Sequence, residues 1–420
     1  MRAVGLITEY NLFHNGHAYH ARQARLISGA DAVVAVMSGH FLQRGEPALV
    51  DKWTRAAMAL KNGVDVVVEL PFPWACNSAP HFARGALECL QTFGPRLDSF
   101  CFGSESGDLA ALQHQARVLS RLEAQAELER PMRRGLNWPQ ARALRFAAET
   151  ASRTDGVPDL ALPNNVLGLA YLQALETLPA DSLRPLTIQR IGSHYHDRFP
   201  GTGSIASATA VRALLEQGRD VRPYLPETAW ALLQQGVRET GLLDCQRWWL
   251  MQQTACLGPL GPLNLIYQQQ PGLSERMQQV ALAACDADTL VAGLKARHLT
   301  RTRIQRLLCY AALSVSADEM ADLLAKSPPF LILLGTTAKG EQFLSQCRKS
   351  LSVPLVGNFS RLISQLKRCY GADSPAMKRA LALLDLHNRA TRCYTLLLPK
   401  WQDRSRHWDY VRSPWRSAAR

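Results

Sequence analysis

The chain has 420 residues, more than one ordinary domain, because hydrophobic cores stop growing at about 250–300 residues. Its composition, 47% hydrophobic and 20% charged, excludes a disordered or collagen-like chain. The 48 Lys and Arg against 35 Asp and Glu give a net charge of +13, which indicates a polyanionic partner such as nucleic acid or an anionic membrane surface.

The N-terminal half alternates short apolar runs with helical stretches, a pattern typical of a parallel sheet covered by helices. The predicted strands are Val4–Ile7, Asp31–Met37, Val64–Leu70, Ser99–Gly103 and Leu186–Ile191. The predicted crossover helices are Ala18–Ser28, Lys52–Asn62 and Pro80–Leu90. These segments predict an α/β domain.

Beyond about Ala213, helical stretches rich in Leu, Ala and Gln replace the strand pattern. We therefore predict two domains, 1–215 and 216–420, the second mainly α-helical. A short α/β signal returns at Phe330–Gly335 and again at Val353–Val356.

The chain shows no sign of a membrane or secretory segment. Its first apolar run is too short for a signal sequence, and no apolar run reaches the roughly 18 residues that a membrane-spanning helix needs. Its ten cysteines form no C-x-x-C pair, so no zinc site is predicted. We expect a cytoplasmic protein.

A polar motif joins the first predicted strand to the first helix. It reads E-Y-N-L-F-H-N-G-H and places His14 and His17 at the start of the helix, with Gly16 between them. Helix N-termini at the carboxyl ends of parallel strands attract phosphates, and glycine lets a phosphate approach closely. The motif predicts a phosphate site, but by itself it also fits two ordinary hydrogen-bonding histidines at a helix start.

Further polar segments, most of them with a glycine, follow the other strands or open helices. They are Ser38–Ala48, Phe102–Glu105, Leu162–Gly168, Gln189–Asp197 and Ser207–Arg212. Segments in these positions are expected to line one nucleotide crevice. Arg44 lies in the first of these segments, and Lys52 follows that segment. Each of the two side chains can either contact substrate or face solvent.

Together these segments resemble the tRNA(Met) cytidine acetate ligase family, which lies in the nucleotidyltransferase superfamily with class I aminoacyl-tRNA synthetases. Blocks in the family's order are E-Y-N-x-F-H-N-G-H, M-S-G-x-F-x-Q-R-G-E-P-A, F-G-S-E, P-N-N-x-L-G, R-I-G-x-x-Y-H-D and A-S-A-T-x-x-R. The resemblance is strong over residues 1–215 and fainter beyond. Leu12 stands where the family usually has proline, and His40 where it usually has asparagine.

This resemblance implies a Rossmann-like, HUP-type parallel sheet domain over residues 1–215 that activates acetate with ATP, and a mainly helical domain over residues 216–420 that binds tRNA. It also implies an ATP-dependent ligase that forms acetyl-adenylate from ATP and acetate. The acetyl group would pass to the 4-amino group of the wobble cytidine of elongator tRNA(Met), giving N4-acetylcytidine. Mg2+ is expected with ATP, although no carboxylate pair in the sequence identifies its ligands.

The resemblance assigns the catalytic role to His14 and His17, which would stabilise charge on the α-phosphate. The implied ATP contacts are Ile7, Thr8, Glu9, Tyr10, Asn11, Leu12, Phe13, His14, Asn15, Gly16, His17, His20, Gly103, Asn164, Arg190, Ile191, Ser207, Thr209 and Arg212. Asn164 could instead cap a helix, and Arg190 and Arg212 could be surface charges.

Two basic stretches are the predicted tRNA-binding surfaces, and neither DNA nor a membrane is expected as a partner. The predicted tRNA contacts are Arg297, Arg301, Arg303, Arg306, Arg404 and Arg406. The first stretch, from Lys295 to Arg306, is predicted to be helical. In the second, Trp401, Trp408 and Trp415 either stack on bases or pack onto the C-terminal domain.

Two other functions remain open. An adenylyltransferase acting on a small metabolite would share the histidine motif, but it would not need the basic helical region. A catalytically idle RNA-binding protein would keep the basic region, but it would not need intact His14, Gly16, His17 and Arg212.

Overall fold

A computed structural model describes residues 1–124, 127, 131–132, 138–150, 162–179, 182–191, 205–403 and 405–417. Among these residues, one sheet has the strand order β5-β4-β1-β2-β3-β6-β7, with β8 also paired to β6. The strands are β1 Ala3–Thr8, β2 Ala32–Ser38, β3 Val66–Leu70, β4 Leu97–Ser104, β5 Arg184–Gln189, β6 Leu331–Thr336, β7 Leu355–Val356 and β8 Trp415–Arg416. Strands β1 to β5 pair in parallel, as the sequence predicts.

Helices cover both faces of this sheet and build the C-terminal half. In the N-terminal half they are α1 Asn15–Ser28, α2 Lys52–Lys61, α3 Phe72–Ala75, α4 Ala79–Gln91, α5 Leu109–Ala124, α6 Trp138–Thr150, α7 Pro163–Glu176 and α8 Ala208–Glu216. Next come α9 Glu227–Thr240, α10 Cys245–Cys256, α11 Leu260–Asn264, α12 Leu273–Ala283, α13 Ala287–Leu294, α14 Arg301–Ala312 and α15 Ala317–Leu324. The last are α16 Ala338–Cys347, α17 Leu362–Tyr370, α18 Pro375–Leu396 and α19 Trp408–Val411. The predicted Rossmann-like sheet with a mainly helical C-terminal region is confirmed.

The central strands are hydrophobic on both faces because helices cover both sides. Every residue of β2 and β3 is buried, which explains why these segments read as continuous apolar runs rather than alternating ones. This buried centre fixes the carboxyl ends of β1, β2 and β4 at one edge of the sheet. Within the described part of the chain, no helix combines the length and apolar character needed to cross a membrane.

The C-terminal half contributes strands to the same sheet. The two late apolar runs form β6 and β7, and β6 pairs antiparallel with β3 through Val66 and Thr336. The sheet is therefore continuous across both halves of the chain. The assignment of acetate activation to residues 1–215 and of tRNA binding to residues 216–420 stays a prediction.

A buried charged cluster ties the C-terminal tail to α2. The Lys52 ammonium lies 2.7 Å from Glu69 Oε2 and 2.6 Å from Asp409 Oδ1, and His387 Nε2 lies 3.0 Å from Asp409 Oδ2. Burial raises the pKa of Asp409, but His387 and Lys52 outweigh it and hold that pKa well below its ordinary value. Lys52 therefore neither contacts substrate nor faces solvent, and both interpretations from the sequence are wrong.

We predict that Lys52→Met lowers the free energy of unfolding by about 3–5 kcal/mol, because two buried carboxylates lose their cation. Urea titration measures the change. Arg222→Met is the control, since it breaks an exposed ion pair with Asp220 and should leave the urea midpoint nearly unchanged. A Lys52→Met midpoint equal to that of the control would contradict the prediction.

Candidate active site

A cavity of about 370 Å³ lies at the carboxyl edge of the sheet, between the first turns of α1 and α8. Most of the predicted ATP contacts line it. They are Ile7, Thr8, Glu9, Tyr10, Asn11, His14, Gly16, His17, His20, Gly103, Asn164, Arg190, Ile191, Ser207, Thr209 and Arg212. The other three lie elsewhere: Leu12 and Phe13 are buried in the core, and the Asn15 amide donates to the Pro223 carbonyl at 3.0 Å.

His14 and His17 form a reciprocal cap at the start of α1. His14 Nδ1 accepts from the Gly16 N–H at 3.0 Å, and His17 Nδ1 accepts from the His14 N–H at 3.2 Å. These bonds assign the proton of each neutral ring to Nε2. The rings stack with centroids 3.8 Å apart, and a Cβ at position 16 would lie 2.8 Å from His14 Cε1. The glycine therefore allows the His14 ring to fold over the first turn.

The cavity histidines are neutral at pH 7. Burial and the nearby Arg190 and Arg212 lower the pKa of His14 to about 3. Burial and the stacked His14 hold the pKa of His17 well below its ordinary value, and burial with Arg190 lowers that of His20 to about 4. His20 Nε2 has no hydrogen-bond partner among the described residues. The rings therefore act as neutral N–H donors beside fixed arginine charges.

A second helix N-terminus faces the same cavity. The Ser207 hydroxyl caps α8 by accepting from the Ala210 N–H at 3.1 Å, and residues 206–209 line the cavity. Arg212 donates to the Asn11 carbonyl and to Thr209 Oγ1. Arg212 is thus held at the cavity wall rather than in solvent. Two helix N-termini that point at one cavity form an anion site.

The opposite wall, built by β4, β5 and α7, is largely apolar. Its side chains include Phe102, Val166, Leu167, Tyr171 and Ile188. Apolar and aromatic surfaces of this kind suit a nucleobase.

Asn164 is placed in the first turn of α7, because Leu162 is the N-cap. Its amide donates to Glu105 Oε1 at 2.7 Å, and Glu105 Oε2 accepts from the Asn165 N–H, also at 2.7 Å. The interpretation of Asn164 as an N-cap is therefore wrong. Glu105 instead satisfies the N–H groups of this helix start.

The segments expected to line the crevice supply further lining residues that were not named as ATP contacts: Leu42, Gln43, Arg44, Glu46, Phe102, Val166, Leu167 and Ala208. Reasoning from the sequence missed the rest of the lining, which is Tyr19, Ala79, Phe82, Tyr171, Ile188, Ile205, Ala206 and Thr302. The polar block after β2 did signal residues 42–46, and Arg44 proves to lie on the cavity wall. Thr302 carried no signal, because it comes from a helix distant in sequence.

The loop after β2 is fastened to the strand that carries the histidine motif. Glu9 Oε1 accepts from the Gln43 N–H at 2.8 Å. Burial raises the pKa of Glu9, and the Gln43 bond opposes that rise.

The predicted tRNA contacts differ in how exposed their side chains are. Helix α14 begins only at Arg301, capped by Thr300, so the prediction of a helix from Lys295 is wrong. Arg297 and Arg301 are exposed and Arg303 is half-buried, whereas Arg306 is buried and donates to the Gln43 carbonyl at 3.4 Å.

The C-terminal tail packs onto the protein in its described part. Arg406 donates to Thr395 Oγ1 at 2.6 Å and to the Trp401 carbonyl, and Arg404 lies outside the described residues. Trp408 is buried against Trp53, which supports the packing interpretation for that tryptophan.

The sheet, the histidine pair and the two helix N-termini define a nucleotidyltransferase. Residues 1–409 match the HIGH Nucleotidyl Transferase family. The chain is 48% identical to the tRNA(Met) cytidine acetate ligase of Syntrophotalea carbinolica, with 99% of this chain and 98% of that protein covered. It is 35% identical to that of Bacillus subtilis, with 94% and 92% covered.

Two solved structures share the whole fold. Apo Thermotoga maritima TmcAL superposes with a TM-score of 0.89 at 31% identity, covering 99% of this chain and 100% of that one. The same protein bound with alpha-thio ATP gives a TM-score of 0.88 at 31% identity, covering 99% of each chain. The chain belongs to the tRNA(Met) cytidine acetate ligase family of HIGH nucleotidyltransferases.

The buried histidines predict a pH dependence of stability. The pKa of His20 is lowered from its ordinary value of 6.5 to about 4 in the folded chain, so the unfolded chain binds more protons between these limits. Stability should fall as the pH drops through this window, by up to about 1.4 kcal/mol per pH unit for each such histidine. His20→Gln removes one of the groups that titrate, so the free energy of unfolding should depend less steeply on pH, by at most the contribution of one proton. Urea titrations from about pH 7 to about pH 4.5 measure this dependence. Parallel curves for the two proteins would contradict this.

Proposed function

We propose that this chain is an ATP-dependent ligase that acetylates a tRNA cytidine. It would activate acetate as acetyl-adenylate and acetylate the 4-amino group of the wobble cytidine of elongator tRNA(Met), giving N4-acetylcytidine. The observation that carries the proposal is the cavity in which two helix N-termini and a neutral histidine pair converge. The relatives' name and the ATP analogue bound to TmcAL support it.

In the first step, an acetate oxygen attacks the α-phosphorus, and the bond to the β-phosphate oxygen breaks as pyrophosphate leaves. The Nε2–H groups of His14 and His17 donate to oxygens on which negative charge accumulates. Neutral donors suit this task because they lose no proton as the charge develops. Ser207, Thr209 and Arg212 hold the β- and γ-phosphates at the N-terminus of α8.

ATP is oriented by the apolar wall. Its adenine lies against Phe102, Tyr171 and Ile188. Asn164, at the start of α7, and Ile191, just after β5, lie nearby in the lining. Binding the base at one end and the phosphates at the other places the α-phosphate near β1, and orientation of this kind lowers the barrier without a covalent enzyme intermediate.

Mg2+ would accompany the phosphates and neutralise part of their charge. The cavity wall offers the carboxylates of Glu9 and Glu46, and Glu9 Oε1 already accepts from Gln43. The one three-residue group of metal-ligating type in the described chain, Glu69, His387 and Asp409, surrounds the Lys52 ammonium instead. The cavity therefore fits an ion held mostly by ATP itself.

In the second step, the cytosine amino nitrogen attacks the acetyl carbonyl, the bond to AMP breaks, and the nitrogen loses a proton. The tRNA backbone would lie on the exposed basic residues Arg297 and Arg301 and the half-buried Arg303. Arg301 would exchange its exposed ion pair with Asp288, at 2.6 Å, for a phosphate. This role does not extend to Arg306 and Arg406, because both guanidinium groups are engaged inside the protein.

We predict that His14→Ala and His17→Ala each lower acetate-dependent ATP–pyrophosphate exchange by about 10²–10³-fold, because each removes one donor to the transition state. Affinity for tRNA should be unchanged in a filter-binding assay. His407→Ala is the matched control, an exposed histidine outside the cavity, and should exchange normally. Full exchange in both cavity variants would remove the active-site assignment.

Labelled acetate, ATP and total tRNA together distinguish the candidate functions. Label in N4-acetylcytidine of tRNA(Met), with exchange that requires acetate, supports the proposal. Exchange without an acetate requirement indicates an adenylyltransferase acting on a small metabolite. Absence of exchange and transfer indicates a catalytically idle RNA-binding protein.

The basic surface makes a separate prediction. Changing Arg297, Arg301 and Arg303 to Gln should weaken tRNA binding and lower the log–log salt slope by about 0.7–0.9 for each phosphate that is no longer neutralised. Titrations of tRNA at several salt concentrations measure the slope, and Arg222→Gln serves as an exposed-arginine control. An unchanged slope in the triple variant would place the tRNA elsewhere.

A further inference from the structure

One end of the cavity holds neither the adenine nor the phosphates of ATP in the arrangement above. The loop of residues 42–46 follows β2, which lies on the other side of β1 from β4 and β5. The adenine wall therefore lies on one side of the histidine pair and this loop on the other. Leu42, Gln43, Arg44 and Glu46 form the loop's share of the lining, and Thr302 of α14 lies in the same lining.

The 42–46 loop is held between the segment that follows β1 and helix α14. On one side, Glu9 accepts from the Gln43 N–H at 2.8 Å. On the other, Glu46 Oε1 accepts from the Gln305 amide at 2.8 Å, and the Gln43 carbonyl accepts from Arg306 at 3.4 Å. A movement of α14 would thus be transmitted directly to the loop and to Glu9.

Gly45 makes the closest contact of this junction. Its φ is +81°, and a Cβ there would lie 2.5 Å from the Arg306 nitrogen and 2.7 Å from the Gln305 carbonyl carbon. The loop backbone therefore rests directly on the helix backbone, an approach that only glycine permits.

Helix α14 carries two features on its first turn. Arg301 and Arg303 belong to the proposed tRNA surface, and Thr302 between them lines the cavity. Thr302 is half-buried, as are Gln43, Arg44 and Glu46 of the loop, and all four line the cavity. The cavity therefore approaches the protein surface between the loop and this turn.

We propose that the acetyl acceptor enters the cavity between the 42–46 loop and the first turn of α14. Thr302 borders this entrance, and Gly45, Glu46 and Gln305 are positioning residues that fix its width. The inference rests on the proposed function and adds the route by which the target base reaches the adenylate.

Thr302→Trp tests the route by filling the entrance with a large side chain. Single-turnover transfer to tRNA(Met) should fall by about 100-fold, and this loss should exceed any loss of acetate-dependent exchange by at least about tenfold. Thr302→Val is the matched control: it keeps the size of threonine and should transfer normally. Equal loss of exchange and transfer, or no loss of either, would overturn the inference.

Gly45→Ala tests the positioning. The ratio of transfer to exchange should fall, because the added carbon must push the loop away from α14. Gly272→Ala is the control, since Gly272 has φ +76° but no atom within 4 Å of an added Cβ, so its ratio should match wild type. If Gly45→Ala does not fold, Gln305→Ala replaces it by removing only the bond to Glu46. A ratio unchanged in the folded variant overturns the inference.

These outcomes differ from failure of the proposed function itself. In that case the wild-type protein would show neither acetate-dependent exchange nor transfer, and no ratio could be measured. A wild type with both activities and variants with normal ratios would leave the ligase assignment in place and remove only the entrance.

Discussion

The active edge of the sheet depends on one buried guanidinium. Arg55 is fully buried, and it donates to the carbonyls of Glu9, Ser38, Gly39 and Val50. A buried charge is costly unless its donors are satisfied, and here backbone carbonyls at the ends of β1 and β2 satisfy them. The same bonds hold the histidine segment and the segment after β2 together. The cavity therefore forms only when both strand ends are in place.

Within that frame, the cavity offers oriented dipoles and a few fixed charges. Two helix N-termini, neutral histidine N–H groups and Arg212 face one space, and burial keeps the rings uncharged at pH 7. Such groups need little rearrangement when charge develops on a phosphate, which is why preorganised sites accelerate adenylation. The buried cluster of Lys52 and Asp409 serves a different purpose, because it fastens the C-terminal tail to α2.

The sequence predicted the N-terminal sheet and most of the cavity because those signals are local. Buried strands read as apolar runs, and a strand end followed by His14 and His17 at a helix start predicts an anion site. The antiparallel pairing of β6 with β3 joins segments as far apart in the chain as Val66 and Thr336, which no local pattern encodes. For the same reason Thr302 was missed, and Lys52 was expected at substrate or in solvent.

The sequence by itself determined which chemical groups this protein offers: a histidine pair at a helix start, polar segments at strand ends and a basic excess. Only the tertiary structure decided which cations remain available. It buried Lys52 and Arg306, left Arg297 exposed, and paired the exposed Arg301 with Asp288 at 2.6 Å. Residue type fixes charge and hydrogen-bonding capacity locally, whereas burial and partners depend on contacts between segments that only the folded chain brings together.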